Sequence, residues 1–287
     1  MTNSSHIVIT GRTINKSNAE RYYSITMHLP DTATAIDAET FAYRRKLKIV
    51  TFPDSLRQIG NQAFIGCTKI RKIHLPQNIN MLGSGVFSEC YSLIRATLPA
   101  DIPYIPSDLF RSDQNLKEVI IPAGSRYKYV LSDAFSGCNG LTSITLPDTV
   151  EKIDNRAFHF CKSLKDFHFP KNLKHVGFKA FYFCGFTSLE LPPSVEYLDE
   201  KAFFRCSHLT TVKLPISVKH IGKEAFHGCS RLQYLEILHD PEYIGQAIVN
   251  RATTIRCYKG SKVDQYCQEN DLKVEYLEGR MPLNIWK

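Results

Sequence analysis

Apolar residues recur along this chain in a fixed phase of about 23 positions, a period typical of stacked repeat units. Leu-Pro, Phe-Pro and Ile-Pro pairs place prolines at 30, 53, 76, 99, 122, 147, 170, 192 and 215, with intervals of 23, 23, 23, 23, 25, 23, 22 and 23. Other positions keep the same phase. After Leu146-Pro147 come Val150, Ile153, Ala157, Phe158, Cys161, Leu164 and Phe167. After Leu214-Pro215 come Val218, Ile221, Gly222, Ala225, Phe226, Cys229, Leu232 and Leu235. The shared unit is L-P-x-x-V-x-x-I-G-x-x-A-F-x-x-C-x-x-L-x-x-I-x, present in nine phased copies.

Each stretch of the unit predicts an element. The closing L-x-x-I-x-L alternates apolar and polar residues, the pattern of a short strand with one buried face. The proline that follows ends the strand by removing a ladder donor. V-x-x-I-G reads as a turn, with Gly60, Gly83, Gly177 and Gly222 supplying a positive φ that Asp154 and Asp199 tolerate at the same phase. A-F-x-x-C-x-x-L has i, i+3 spacing and predicts one or two helical turns packing Phe, Cys and Leu inward. A single unit cannot bury these side chains alone, whereas stacked units can. The expected fold class is therefore an α/β repeat solenoid. Its parallel β-sheet lies along one face, short helical or 3-10 turns lie opposite, and both ends are capped. Phe41, Phe64, Phe87, Phe110, Phe135, Phe158, Phe181, Phe203 and Phe226 should form a continuous spine.

The unit resembles the BspA-type leucine-rich repeat, whose signature is I-G-x-x-A-F-x-x-C-x-x-L-x-x-I-x-L-P. The clearest matches are Ile59-Gly60-Asn61-Gln62-Ala63-Phe64-Ile65-Gly66-Cys67 and the stretch from Ile221-Gly222 to Cys229. The resemblance spans residues ~29 to 277. It implies a leucine-rich-repeat rod or horseshoe. It also implies a surface or secreted interaction module of the kind found in bacteria and unicellular eukaryotes, often linked to adhesion, with no catalytic residues to carry over.

The expected organisation is an N-terminal cap over 1–28, repeats over 29–238, a C-terminal capping repeat over 239–277 and a tail over 278–287 that holds Trp286. Tyr23, Ile25, Met27 and Leu29 alternate as a capping strand. Thr254 to Tyr258 reads as a strand, Ser261 as the N-cap of a short helix carrying Val263, Tyr266 and Cys267 on one face, and Leu272 to Tyr276 as a closing strand. Two units depart from the rule. One has Asp113 in place of the cysteine and prolines at Pro103 and Pro106. The next is two residues longer around Arg126-Tyr127-Lys128-Tyr129, either as an insertion looped out on a binding face or as drift within the repeat.

Composition narrows the function. The 287 residues are 43% hydrophobic and 22% charged, which is ordinary globular composition rather than disorder. The net charge of +8 admits an acidic partner, a polyanion or an anionic surface. Without finger spacings or a nucleic-acid module, no specific nucleic-acid binding is expected. No stretch approaches the ~20 apolar residues that cross a bilayer, and Met1 to His6 carries no secretory signal. Seven of nine cysteines (Cys67, Cys90, Cys138, Cys161, Cys184, Cys206 and Cys229) follow the repeat phenylalanine by three residues, as a column of small buried thiols. There is no C-x-x-C and no His/Cys ligand spacing, so neither a metal nor another cofactor is expected. Unpaired thiols fit a reducing compartment, while the resemblance implies a cell surface. No H-E-x-x-H, P-loop, G-x-S-x-G or G-x-G-x-x-G occurs, so no enzyme is expected.

Three surfaces are candidates for binding, and a monomer is the expected state. Residues flanking the strand's inward position line the sheet face: Lys72/His74, Arg95/Thr97, Asp166/His168, Thr211/Lys213 and Tyr234/Glu236 among them. The V-x-x-I column carries Arg57, Tyr104, Lys128/Tyr129, Lys152, Lys174/His175, Tyr197 and Lys219/His220, a basic and aromatic stripe suited to carbohydrate or polyanion. The two positions between Phe and Cys are small or polar in most units. In three successive units they become His159-Phe160, Tyr182-Phe183 and Phe204-Arg205, which stacking would bring together as a hot spot for a protein partner or pack against the neighbouring turn.

Overall fold

A computed structural model of the chain describes residues 13–19 and 25–278. The repeats wind into a solenoid whose coils are joined by two parallel ladders. The first ladder is the expected one. Thr26–His28 pairs with Ile49–Thr51; Lys72–His74, Arg95–Thr97, Glu118–Ile120 and Ser143–Ile144 form a second run. Thr211–Lys213, Tyr234–Glu236, Thr254–Cys257 and Lys273–Tyr276 form a third. Alternation sets the faces: Ile73 is buried between exposed Lys72 and His74.

The V-x-x-I segment is not simply a turn. It ends in a two-residue strand whose second residue points inward, and eleven of these form a second ladder from Thr13–Ile14 to Tyr243–Ile244. Equal coil lengths place each extended pair over its counterpart, so main-chain groups that would otherwise be buried unpaired find partners. This ladder is interrupted once, between Met81–Leu82 and Tyr104–Ile105. The cause is the pair of prolines flagged by the sequence. Other coils use these two positions as donors to the preceding coil, as in Lys128 N–H to Pro103 O and Leu131 N–H to Ile105 O. Pro103 and Pro106 have no N–H to give. The first ladder breaks elsewhere, between Ile49–Thr51 and Lys72–His74 and again after Ser143–Ile144, where Glu190 bridging to Lys213 restarts it. At that break Phe167 takes the inward strand position and stays half-buried against Phe158, Phe169 and Phe181, at 5.3, 4.7 and 5.2 Å between ring centroids.

The A-F-x-x-C segment is hydrogen-bonded turn rather than helix. Gln62, Phe64 and Gly66 donate to Ser84, Val86 and Ser88 of the next coil, while Ala63, Ile65 and Cys67 donate three residues back within their own coil. This alternation requires left-handed backbone two residues before and two after the spine phenylalanine, as at Gln62 (φ 55°) and Gly66 (φ 67°), which no α-helix can accommodate. The glycines expected to supply positive φ, Gly60, Gly83, Gly177 and Gly222, lie outside that region. They are needed for close approach: a Cβ on Gly60 would sit 2.4 Å from Ala38 N, and one on Gly222 2.3 Å from the Asp199 carbonyl carbon.

The spine forms as expected. Phe41 to Phe226 stack with centroids 5.0–6.0 Å apart from coil to coil. Beside it runs the cysteine column. Each thiol donates to the spine carbonyl one coil back, as in Cys67 Sγ to Phe41 O at 3.2 Å and Cys161 Sγ to Phe135 O at 3.2 Å. All nine cysteines are free and buried. Burial pushes the Cys67 and Cys229 thiols up to about 12, which keeps them protonated donors. The two-residue insertion does not loop out. Tyr127 is fully buried and donates its hydroxyl to Pro99 O at 2.5 Å, and Tyr129 stays in register with Tyr104. Of the expected terminal strand, Met27 and Leu29 are buried and Ile25 is exposed, while Tyr23 and Trp286 lie outside the described residues. The helix Lys262–Glu269 begins with Ser261 accepting from Asp264 N–H, and buries Val263 and Cys267.

Asp113 interrupts the thiol column. It is fully buried; Oδ1 accepts from Cys90 N–H at 2.7 Å, and Oδ2 has no hydrogen-bond partner among the described residues. Burial raises its pKa well above the carboxylate range, against the lowering effect of the Cys90 bond. The folded state thus holds the proton more tightly than the unfolded chain, whose carboxyl titrates near ~3.9. The stability this provides is complete below that value and is lost as pH rises toward the folded pKa. Asp113→Cys and Asp113→Asn should therefore both stabilise the protein at pH 7, by about 1–3 kcal/mol, and the gain should shrink as pH approaches 4. Urea unfolding at the two pH values measures this, and a gain that grows on acidification would contradict it.

Candidate binding surface

The turn segments of three successive coils bring the candidate aromatics together. The residue after the spine phenylalanine forms one column. His159 lies 4.9 Å from Tyr182, Tyr182 stacks on Phe204 at 5.1 Å and 7°, and Phe204 stacks on His227 at 5.8 Å. The next residue forms a second column, in which Phe160 stacks on Phe183 at 5.4 Å and the Arg205 guanidinium lies 5.9 Å from the Phe183 ring. Phe160 also contacts His159 and Tyr182 edge-on, at 4.4 and 5.5 Å. These six rings are half-buried and Arg205 is exposed, while the spine rings behind them are fully buried. The cluster is thus a ridge outside the core. Burial holds the His159 imidazole down at about 4, so it is neutral at physiological pH.

The second column occupies the left-handed position of the turn. Phe160, Phe183 and Arg205 have φ of 61°, 62° and 58° at a position that Gly66, Gly137 and Gly228 fill in three other coils and Tyr43, Glu89 and Ser112 fill in the remaining ones. A non-glycine residue in left-handed backbone costs about 1–2 kcal/mol, and for a bulky side chain this is a genuine outlier. Lys162 and Lys179 complete the ridge. Lys162 Nζ lies 5.5 and 5.6 Å from the Phe160 and Phe183 rings, and Lys179 Nζ 5.6 Å from Tyr182. Neither stood out in the sequence, because each lies outside the Phe–Cys pair; Lys179 shares its phase with Arg156 and Lys201, which is the available signal.

The sheet-face candidates are not brought to one place. Lys72, His74 and Arg95 share one run of the first ladder, Lys213 and Tyr234 another, and His168 lies at the break between them. Several are already engaged: Arg95 with Glu118 at 3.1 Å, Lys213 with Glu236 at 2.7 Å, and Tyr234 under the Arg256 guanidinium at 3.9 Å. The stripe does form a column along the second ladder, with His175, Tyr197, His220 and Tyr243 at 5.7, 6.3 and 4.5 Å. Its charges are largely matched within it: Lys152 with Asp154, Lys174 with Glu151, Lys219 with Glu196 and His175 with Asp199. Among the described residues no group of three His, Cys, Asp or Glu side chains could hold a metal, and no helix is long and apolar enough to cross a membrane.

Coils of this length, stacked through parallel strands around a Phe–Cys core, define a leucine-rich-repeat protein. The chain belongs to the BspA type leucine rich repeat family, which matches residues 18–141 and 128–256 in six copies. No curated protein matches it. Among solved structures it is similar to a leucine-rich repeat protein from Eubacterium ventriosum, at 26% identity and a TM-score of 0.55 over 58% of this chain and 45% of that one. The chain thus spans less than half of that relative. It is also similar to a leucine rich cell surface protein from Faecalibacterium prausnitzii, at 21% identity and a TM-score of 0.53, covering 89% and 79% of the two chains. A leucine-rich repeat protein from Bacteroides ovatus aligns at 22% identity over 88% of this chain and 84% of that one, with a TM-score of 0.49.

If the ridge lies outside the core, its aromatics should be nearly dispensable for folding. In Phe160→Gly/Phe183→Gly the relief of left-handed backbone offsets lost ring contacts of about 0.5–1.5 kcal/mol per pair. Stability should then change by no more than about 1 kcal/mol, whereas Phe181→Ala in the spine should cost about 3–5 kcal/mol. Chemical unfolding of the two variants checks the contrast; equal losses would place the ridge in the core.

Proposed function

We propose that this chain is a non-catalytic scaffold that binds a protein partner through the ridge of His159, Phe160, Tyr182, Phe183, Phe204 and Arg205. One observation carries the reading. Three successive coils place large side chains at the position two residues after the spine phenylalanine, where Phe160 stacks on Phe183 beside the Tyr182–Phe204 stack in one half-exposed cluster. The spine is complete and fully buried without these side chains, so the cluster is not needed to close the core. A half-exposed aromatic cluster rimmed by cations also has the composition of an interface hot spot. In the same reading residues 1–28 and 239–277 cap the repeats of 29–238, and the scaffold is a monomer.

A second reading is supported by the ring column from His175 to Tyr243. With its lysines matched by neighbouring carboxylates, that stripe suits a neutral carbohydrate better than a polyanion.

Immobilised protein and its Phe160→Gly/Phe183→Gly variant should separate these readings. A protein retained from extract by the unaltered chain should be reduced at least about tenfold on the variant, with both proteins shown folded by circular dichroism. Undiminished retention, with loss instead in His175→Ala/His220→Ala, would move the site to the stripe.

A further inference from the structure

We infer, resting on the ridge as the binding site, that the partner meets it with an acidic segment whose carboxylates alternate with apolar side chains. The charges of the ridge give the first argument. Cations close to it are matched within the protein: Arg156 by Asp133 at 2.8 Å, and Lys201 by Glu200 and Glu224 at 2.8 and 3.6 Å. Lys162, Lys179 and Arg205 make no ion pair among the described residues. Instead they rest over ring faces, Arg205 5.5 Å from Phe204 and Lys162 and Lys179 over Phe160, Phe183 and Tyr182.

The rings themselves point the same way. Where they stack along the solenoid axis, Phe160 on Phe183 and Tyr182 on Phe204, the rings spend electron-rich faces on one another and on these cations. What remains outward is ring edge, which carries the positive end of the quadrupole. The ridge therefore offers apolar ring edges beside the cations Lys162, Lys179 and Arg205, unpaired among the described residues.

Main-chain recognition is closed off. The N–H groups of Phe158, Phe160, Phe181, Phe183 and Arg205 all donate to the next coil. A partner cannot add a strand here and has to be read by its side chains. At ~4.8 Å per coil three coils span roughly 10–15 Å, the reach of about four residues of extended chain. An anionic membrane would also offer negative charge and apolar matter. The half-buried packing of these rings argues against it, because interfacial binding sinks an apolar face about 5–10 Å into the bilayer.

Fluorescence anisotropy with a labelled synthetic peptide of alternating Glu and Phe residues tests the inference, against a counterpart carrying Gln for Glu. The acidic peptide should bind at least about tenfold tighter than its amide counterpart, and the preference should fade with added salt. Lys162→Gln/Lys179→Gln/Arg205→Gln should abolish that preference. Equal binding of the two peptides, binding of neither, or a preference surviving in the triple variant would overturn the inference. So would capture of the protein by phosphatidylserine vesicles in place of the peptide. If the triple variant fails to fold, the comparison of the two peptides on the unaltered chain decides. Loss of the extract partner on Phe160→Gly/Phe183→Gly without any peptide preference would leave the ridge as the site and remove only the acidic segment.

Discussion

Every feature of this molecule depends on coils stacking in phase, main chain over main chain. Three sets of interactions enforce the phase together. Two parallel ladders fix the extended segments, and the turn segment between them sends every second N–H to the next coil. A third set lies inside, where each thiol donates to the spine carbonyl one coil back. Because so many donors point along the axis, a residue is defined less by its neighbours in sequence than by the residues one period away. That is why a column, rather than a cleft, is the natural site of this fold.

Much of this was legible in the chain. The 23-residue phase gave the solenoid, the spine and the thiol column directly, because periodic burial leaves a periodic sequence. Two features were hidden for physical reasons. The second ladder uses strands of two residues, too short for alternation to register against a turn. The left-handed positions flanking Phe were misplaced onto Gly60 and its equivalents because glycine has two uses, positive φ and close approach, and spacing does not separate them. Tyr127 is a related case: its insertion read equally as a loop or as drift within the repeat, and only the structure shows its ring inside the core and its hydroxyl on Pro99. The ridge was legible as a cluster of residue types, but not the ring stacking across coils or its half-buried place outside the spine, which depend on how the turns are oriented.

The ridge and the stripe illustrate how a repeat differentiates its surfaces. Along the stripe, acids and bases alternate from coil to coil and satisfy each other. On the ridge the substitutions run with one sign, and cations meet rings instead of carboxylates. The core behind the two surfaces is nearly identical, so the difference rests wholly on a few outward side chains.

The two ladders are never broken at the same coil boundary. Prolines open the second where the first still joins Lys72–His74, Arg95–Thr97 and Glu118–Ile120; the first opens before Lys72–His74 where Gln58–Ile59 still pairs with Met81–Leu82, and after Ser143–Ile144 where the second still runs through Lys152–Ile153 and His175–Val176. Each gap therefore leaves an intact seam on the other side. At the proline gap the turn bonds from Gly85, Phe87 and Glu89 to the next coil hold as well, so the solenoid tolerates a local loss of strand pairing as a rope tolerates one cut strand, its continuity carried by the others.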